Sequence, residues 1–473
     1  MEKNHPTVYL FVVLTLFTFT LNAQTADLAR KGSLGVRLEA MTETRAKAAG
    51  LEATGGAYIS EVLPGGTGAA LQLRAGDVLL SVNGVPTNEI SEVVSITQTW
   101  RAGQPLRLKV RRDGKSISLS GNVQGKPMET SDLAEVIYGA VPFEGGKLRS
   151  IMHVPKADGQ LPLVVFLQGF SCSSIDYYYD PGSPIRQLVD GLVERGFAVY
   201  RVEKPGVGDS EGSLDCGDID YDTEVAAFDA AISGLADLDF IDQEHIFYFG
   251  HSLGGVTAPL LAARHHPRGV AVYGTVFESW YEYMQKVFRD QAYVRRDDWI
   301  RTEDASRDAQ KFLAALFLSD QSVAEMAEDP TIKNQLDNRI LDYDGDSRFV
   351  GRHYTFWRGL NAANPVQAWR DAGVETLAIY GEHDIHAINP TGAQLIAEMV
   401  NDYHPGKGKF VLLEGTEHAF ARVPSMSEYV EMRRNGSFNN SYMAANFNKE
   451  LVRIVADWME ASMRTGHKKL GKN

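Results

Sequence analysis

Ser252 stands in Gly250-His251-Ser252-Leu253-Gly254, between an apolar run at 245–249 and an Ala-rich run at 255–263. A serine on a sharp turn from strand to helix sits in a strained backbone, which small neighbours permit. Its hydroxyl then points over the end of a sheet, at the positive end of the helix. That setting makes Ser252 the candidate nucleophile of a serine hydrolase. The five-residue pattern is weak alone, since a chain with 44 glycines should hold roughly 0.2 matches by chance. Context separates it from the second match, Gly208-Asp209-Ser210-Glu211-Gly212. That one follows an apolar run at 197–202 but leads into further Gly, Ser and Asp, so no helix starts there. It is read as a loop whose glycines let it pass close to the site.

A hydroxyl is a poor nucleophile unless a base takes its proton, and the base is normally a His held in one tautomer by a carboxylate. On a strand-turn-helix scaffold the three follow in the order Ser, acid, His. The chain supplies Tyr380-Gly381-Glu382-His383-Asp384 after a predicted strand at 375–380, and Glu414-Gly415-Thr416-Glu417-His418 after one at 409–413. Asp384 and His418 are therefore the candidate acid and base. Glu382 is an alternative acid. His383 and His386 flank Asp384 and raise the question of a metal, but no third and fourth ligand cluster accompanies them, so none is expected. Asp342-Tyr343-Asp344-Gly345-Asp346 has the wrong Gly and no distal Glu for a calcium loop, and is read as a solvated turn.

The elements that must position these residues alternate. Strands are predicted at 135–141, 147–154, 162–168, 197–203, 245–249, 269–276, 375–380 and 409–413, with helices between the later ones, as at 185–195 and 223–235. Two opening strands followed by β/α alternation predict an α/β fold with a doubly wound, mostly parallel sheet over 135–473. One connection is far too long, about 277–365, and is read as a helical cap inserted above the sheet. Trp280, Trp299, Trp357 and Trp369 fall in or beside it. They could line an acyl or side-chain pocket, or form the cap's own core.

Here the chain resembles the α/β-hydrolase family over about 135–465, in Gly250-His251-Ser252-Leu253-Gly254-Gly255, Gly381-Glu382-His383-Asp384 and Gly415-Thr416-Glu417-His418. Members include esterases and prolyl-type peptidases. The resemblance implies that Ser252 is nucleophile, Asp384 orients, and His418 is general base and then acid. It further implies an oxyanion hole from the N–H of Leu253 and that of Phe170, in Gln168-Gly169-Phe170, where many relatives carry His in place of Gln168. Two such donors stabilise a tetrahedral oxyanion by about 3 kcal/mol each.

Residues 33–121 form a second unit, small and β-rich. A strand at 57–62 is broken by Pro64-Gly65-Gly66-Thr67-Gly68, and one at 76–82 runs into Asn83-Gly84. Two more join at Asp113-Gly114, and 88–100 suits a helix. This run resembles a PDZ domain of the form appended to exported bacterial proteases, which implies capture of a peptide C-terminus as an added strand. Ser33-Leu34-Gly35-Val36 matches the carboxylate-binding loop. The alternative is a PDZ that only docks on its neighbour. Residues 122–134 are polar and read as a linker.

Residues 1–23 read as a secretory signal peptide: Lys3, an apolar run from Val8 to Leu21, and Ala23 at the cut. The expected location is therefore periplasmic or extracellular, with no membrane anchor left after cleavage. Cys172 and Cys216 each lie in a loop just after a predicted strand, on one edge of the sheet, and an exported chain would pair them. Two buried thiols are the alternative. A net charge of −14 argues against nucleic acid as partner. The function expected is cleavage of a small acyl ester, thioester or amide through an acyl-enzyme, with no cofactor. A PDZ-assisted peptidase is the alternative and a non-catalytic binding scaffold the second.

Overall fold

The computed structural model describes residues 28–51 and 54–466, so the expected signal peptide at 1–23 lies outside the described residues. The N-terminal domain is an antiparallel sheet in the order Val36–Ala40, Ala57–Val62, Val78–Val82, Pro105–Arg112, Lys115–Asn122, with Val85–Pro86 beside the third of these. Strand alternation builds its core. Leu106, Leu108 and Val110 point inward between exposed neighbours and meet Ile59, Leu79 and Val93. Asn83-Gly84 and Asp113-Gly114 make two-residue turns with positive φ at both positions, the twist that joins adjacent strands. The helix is Ile90–Gln98.

The larger sheet has eight strands: β1 (Ala134–Phe143), β2 (Gly146–Pro155), β3 (Leu161–Leu167), β4 (Ala198–Val202), β5 (Ile241–His251), β6 (Gly269–Tyr273), β7 (Glu375–Gly381) and β8 (Gly408–Leu413). Their order is β1-β2-β4-β3-β5-β6-β7-β8. β2 is antiparallel to both neighbours and the rest are parallel. Parallel strands are covered on both faces, so they read as continuous apolar runs. In β3, Leu163, Val165 and Leu167 face one core, and Val164 and Phe166 the other. Helices Tyr221–Ser233, Gly254–His265 and Thr391–Tyr403 close the first face. Pro184–Glu194 and Glu450–Gly466 close the second.

The strand expected to run to 276 stops at Tyr273, because Gly274 turns the chain with φ +64°. From there the cap runs through Trp280–Lys286, Trp299–Leu318, Val323–Met326, Pro330–Asp337 and a two-stranded hairpin, Arg348–Phe349 with Arg352–His353. It returns by Tyr354–Ala362. Trp357 and Trp369 are buried in the core, whereas Trp299 is 69% exposed. At Asp344 the carboxylate accepts the N–H of Asp346, Ser347 and Arg348, which makes the 342–346 segment a self-capped turn.

The segment between the domains is bound along its length. Glu129 is buried against Arg186 and Arg201, each 2.9 Å away. Arg30 pairs with Asp176 at 2.7 Å and with Asp209, and donates to the carbonyl of Pro127. Asp209 also accepts from the backbone N–H of Lys31 at 2.8 Å and from Arg149 Nε at 3.1 Å. The loop of the second Gly-x-Ser-x-Gly is thus the anchor of the N-terminal domain. Its Ser210 hydroxyl accepts the N–H of Arg149 and is buried.

Candidate active site

β5 ends at His251, and Ser252 turns the chain with φ +56° into the helix that begins at Gly254. Ser252 N–H donates to the Tyr273 carbonyl at 2.9 Å, which ties the elbow to β6. A side chain at Gly254 would overlap the Leu167 carbonyl, and one at Gly255 would stand 2.5 Å from Thr275 Cβ. The glycines of the motif are therefore required by close packing of helix on sheet, and the serine pays for the turn in backbone strain.

Asp384 and His418 arrive from loops after β7 and β8. His418 Nδ1 lies 2.8 Å from Asp384 Oδ2. The other carboxylate oxygen accepts the N–H groups of His386 at 2.8 Å and Ala387 at 2.9 Å. Burial would push the Asp384 carboxyl up, but His418 and these donors hold it below the ordinary value. For His418, burial opposes protonation, while the Asp384 charge and hydrogen bond outweigh it and raise the imidazole above 6.5. With Nδ1–H directed to Asp384, Nε2 is left with a lone pair for a proton. Glu417 shapes this loop by accepting the N–H of Ala419 and of Ala421, each at 2.9 Å. Glu382 accepts the N–H of Gly415 at 2.7 Å, which commits it to the loop rather than to His418. No group of three or more potential metal ligands occurs among the described residues.

Three further residues stand close to His418. His251 Nε2 donates to the His418 carbonyl at 2.9 Å, and burial pushes its pKa down to about 3, so it stays neutral. The His386 ring lies 4.7 Å from that of His418, and burial lowers its pKa to about 3 as well. Gly274 matters most. A Cβ there would lie 2.7 Å from Asp384 Oδ2 and 2.8 Å from His418 Nδ1. Its one sequence signal is a glycine at the carboxyl end of a strand.

On the other side of Ser252, Gly169 faces its side chain. An added Cβ there would be 3.2 Å from Ser252 Cβ. Neither Leu253 nor Phe170 donates its N–H to any group among the described residues. Phe170 opens an aromatic wall through Trp357 (centroids 6.0 Å), Trp280 (5.9 Å further) and Tyr283 (4.7 Å further). A cavity of about 380 Å³ opens beside His418, lined by His386, Ala419, Tyr429, Arg433 and Phe438. A disulfide joins Cys172 and Cys216, with Cα atoms 5.8 Å apart, two residues beyond Phe170.

In the N-terminal domain, Ser33 and Leu34 accept through their carbonyls from the N–H groups of Thr67 and Gly68. The N–H groups of Leu34 and Gly35 have no acceptor among the described residues. Ser33 Oγ lies 2.9 Å from Tyr179 Oη. The larger domain therefore touches this loop where it meets Gly66, and the edge strand Val36–Ala40 keeps one side unpaired.

An imidazole acting as base must be neutral. With His418 as the base, activity would therefore fall as pH drops through its raised pKa. We expect kcat/KM for a nitrophenyl ester to show an acid limb with its midpoint above 6.5. A profile flat down to about pH 5 would exclude His418 as base.

Fold and site together define the class: the chain is a serine hydrolase. Residues 164–431 match the Alpha/beta hydrolase family and residues 24–111 match the PDZ domain. The chain belongs to the alpha/beta hydrolase family and carries an N-terminal PDZ domain. Among curated proteins it is 32% identical over 153 residues to the periplasmic pH-dependent serine endoprotease DegQ of Escherichia coli (strain K12), covering 32% of this chain and 31% of that one. It is 30% identical over 119 residues to the periplasmic serine endoprotease DegP of the same strain, covering 25% and 24%. The chain thus spans under a third of the length of these relatives. Among solved structures, Est1E from Butyrivibrio proteoclasticus is similar at 16% identity and a TM-score of 0.41, over 70% of this chain and 99% of that one.

Proposed function

We propose that the chain is an exported hydrolase that cleaves a carboxylic ester, or a thioester or amide, through an acyl-enzyme on Ser252. The observation that carries this is the 2.8 Å contact of His418 Nδ1 with Asp384. It leaves Nε2 free to serve as the base for Ser252, which stands on an elbow with φ +56°. Ser252 Oγ attacks the carbonyl carbon and its proton passes to His418 Nε2. The oxyanion takes the N–H groups of Leu253 and Phe170. Collapse expels the alcohol, thiol or amine, which leaves with the proton from His418. Water then attacks the acyl-enzyme, giving a proton to His418, and the acid departs as Ser252 recovers its hydrogen. A disulfide in the chain supports export, since such bonds persist in oxidising compartments.

The test compares a short-chain nitrophenyl ester with aminoacyl and prolyl nitroanilides. Ester turnover that is lost in Ser252→Ala supports the reading. Turnover of nitroanilides alone would move it to a peptidase.

The second reading is a peptidase whose PDZ domain grips a C-terminus. The unpartnered N–H groups of Leu34 and Gly35 favour it, because a terminal carboxylate is what such a pair binds. The expected result is a KM about 10-fold lower for a cleaved peptide with a free C-terminus than for its C-terminal amide, one charge-assisted contact being worth roughly 1.5 kcal/mol or more. Equal KM values would remove the PDZ from substrate binding.

A further inference from the structure

Behind the loop that carries Phe170 lies a buried cluster of charge that the triad does not use. Lys204, just after β4, is wholly buried and donates from Nζ to the Gly169 carbonyl at 2.7 Å. The same Nζ lies 2.9 Å from Glu224 Oε1. Arg352, from the cap hairpin, reaches Glu224 Oε2 at 2.7 Å with one arm and donates to the Phe170 carbonyl at 2.8 Å with the other. Its guanidinium rests 3.5 Å from the centre of the Phe356 ring. Burial draws the Lys204 pKa down to about 8, although Glu224 opposes this. Two cations face one carboxylate, and each gives one donor to one of two consecutive backbone carbonyls.

A trans peptide is planar, with its C=O and the following N–H pointing in opposite directions. No peptide here is cis. Fixing the Gly169 carbonyl on Lys204 therefore aims the Phe170 N–H the other way, and fixing the Phe170 carbonyl on Arg352 does the same for Ser171. Gly169 itself stands against Ser252. Consecutive N–H groups turned to one side form an anion-binding concavity. The cations at the carbonyl ends also polarise the peptides toward that side.

We infer that Lys204 and Arg352, joined by Glu224, are positioning residues that hold the Phe170 N–H on the oxyanion of the Ser252 reaction. This rests on the acyl-enzyme reading above. Because Arg352 belongs to the cap, the oxyanion hole is complete only with the cap seated. The cap thus contributes to the chemical step as well as to any substrate pocket.

The test measures kcat and KM on a nitrophenyl ester for Lys204→Met, Arg352→Met and Arg352→Lys, per folded molecule as read from thermal melts. A lost oxyanion donor lowers kcat about 10²–10³-fold. We expect that loss in both Met variants, with KM changed less than about 3-fold and the acid limb of the pH profile unmoved. Arg352→Lys should recover at least about a tenth of wild-type kcat, since it keeps a cation that can reach a carbonyl. A purely structural role would lower the folded fraction and leave kcat per folded molecule alone, which would overturn the inference. If Lys204→Met does not fold, the Arg352 pair decides: equal loss in Lys and Met variants, or no loss in either, overturns it. Retained turnover in Ser252→Ala would overturn the acyl-enzyme reading and this inference with it.

Discussion

Replacing Ser252 by Ala is expected to lower kcat about 10⁶-fold while the protein melts as before. The elbow is built by its neighbours: the N–H of residue 252 is bonded to the Tyr273 carbonyl and Gly254 lies on the Leu167 carbonyl. Alanine keeps the backbone bond and loses only Oγ. A triad acts as a unit, so losing its nucleophile removes nearly all of its contribution, leaving what the oxyanion donors and binding provide. Burst and steady-state release of nitrophenol by the two proteins would measure this. A residual rate within 100-fold of wild type would exclude Ser252 as the nucleophile.

Gly274→Ala should come next in size, with kcat down about 10³–10⁴-fold. The added methyl would sit 2.7 Å from Asp384 Oδ2 and 2.8 Å from His418 Nδ1, between the partners of the His418–Asp384 hydrogen bond. The backbone there, at φ +64°, also disfavours any L side chain. Breaking the link to the carboxylate costs a triad about 10⁴ through loss of tautomer and orientation. The acid limb should shift down as well, because Asp384 is what raises the His418 pKa. Wild-type kcat and an unmoved limb would mean the methyl is absorbed elsewhere.

Local signals made much of this chain legible. The eight apolar runs and the elbow motif announce a doubly wound sheet, because strand, turn and helix each leave a pattern within a few residues. Gly-Glu-His-Asp and Gly-Thr-Glu-His could be found because they directly follow such runs. Gly274 could not. Its importance comes from what stands opposite it, residues 384 and 418, and no periodicity records that. Lys204, Glu224 and Arg352 were invisible for the same reason, since 128 positions separate Glu224 from Arg352. The segment at 122–134 read as a polar linker by composition. Composition cannot tell a solvated Glu129 from one buried on two arginines.

The disulfide closes a loop of 44 residues. In an unfolded chain such a closure removes conformational freedom worth roughly 4 kcal/mol. The parts it brings together are two jaws of a receptor. Asp176 and Tyr179 follow Cys172 on one loop, and Asp209 precedes Cys216 on the other. Together they clasp Arg30, Lys31 and Ser33 at the root of the PDZ domain. Reduction should therefore loosen the seat of the smaller domain before it disturbs the sheet. Amide exchange would rise first around 30–35 and 172–180, while β5 and β6 stay protected. Oxidation of the thiols would then stiffen the seat of the smaller domain, alongside the buried Glu129 pairs that hold the segment between the domains.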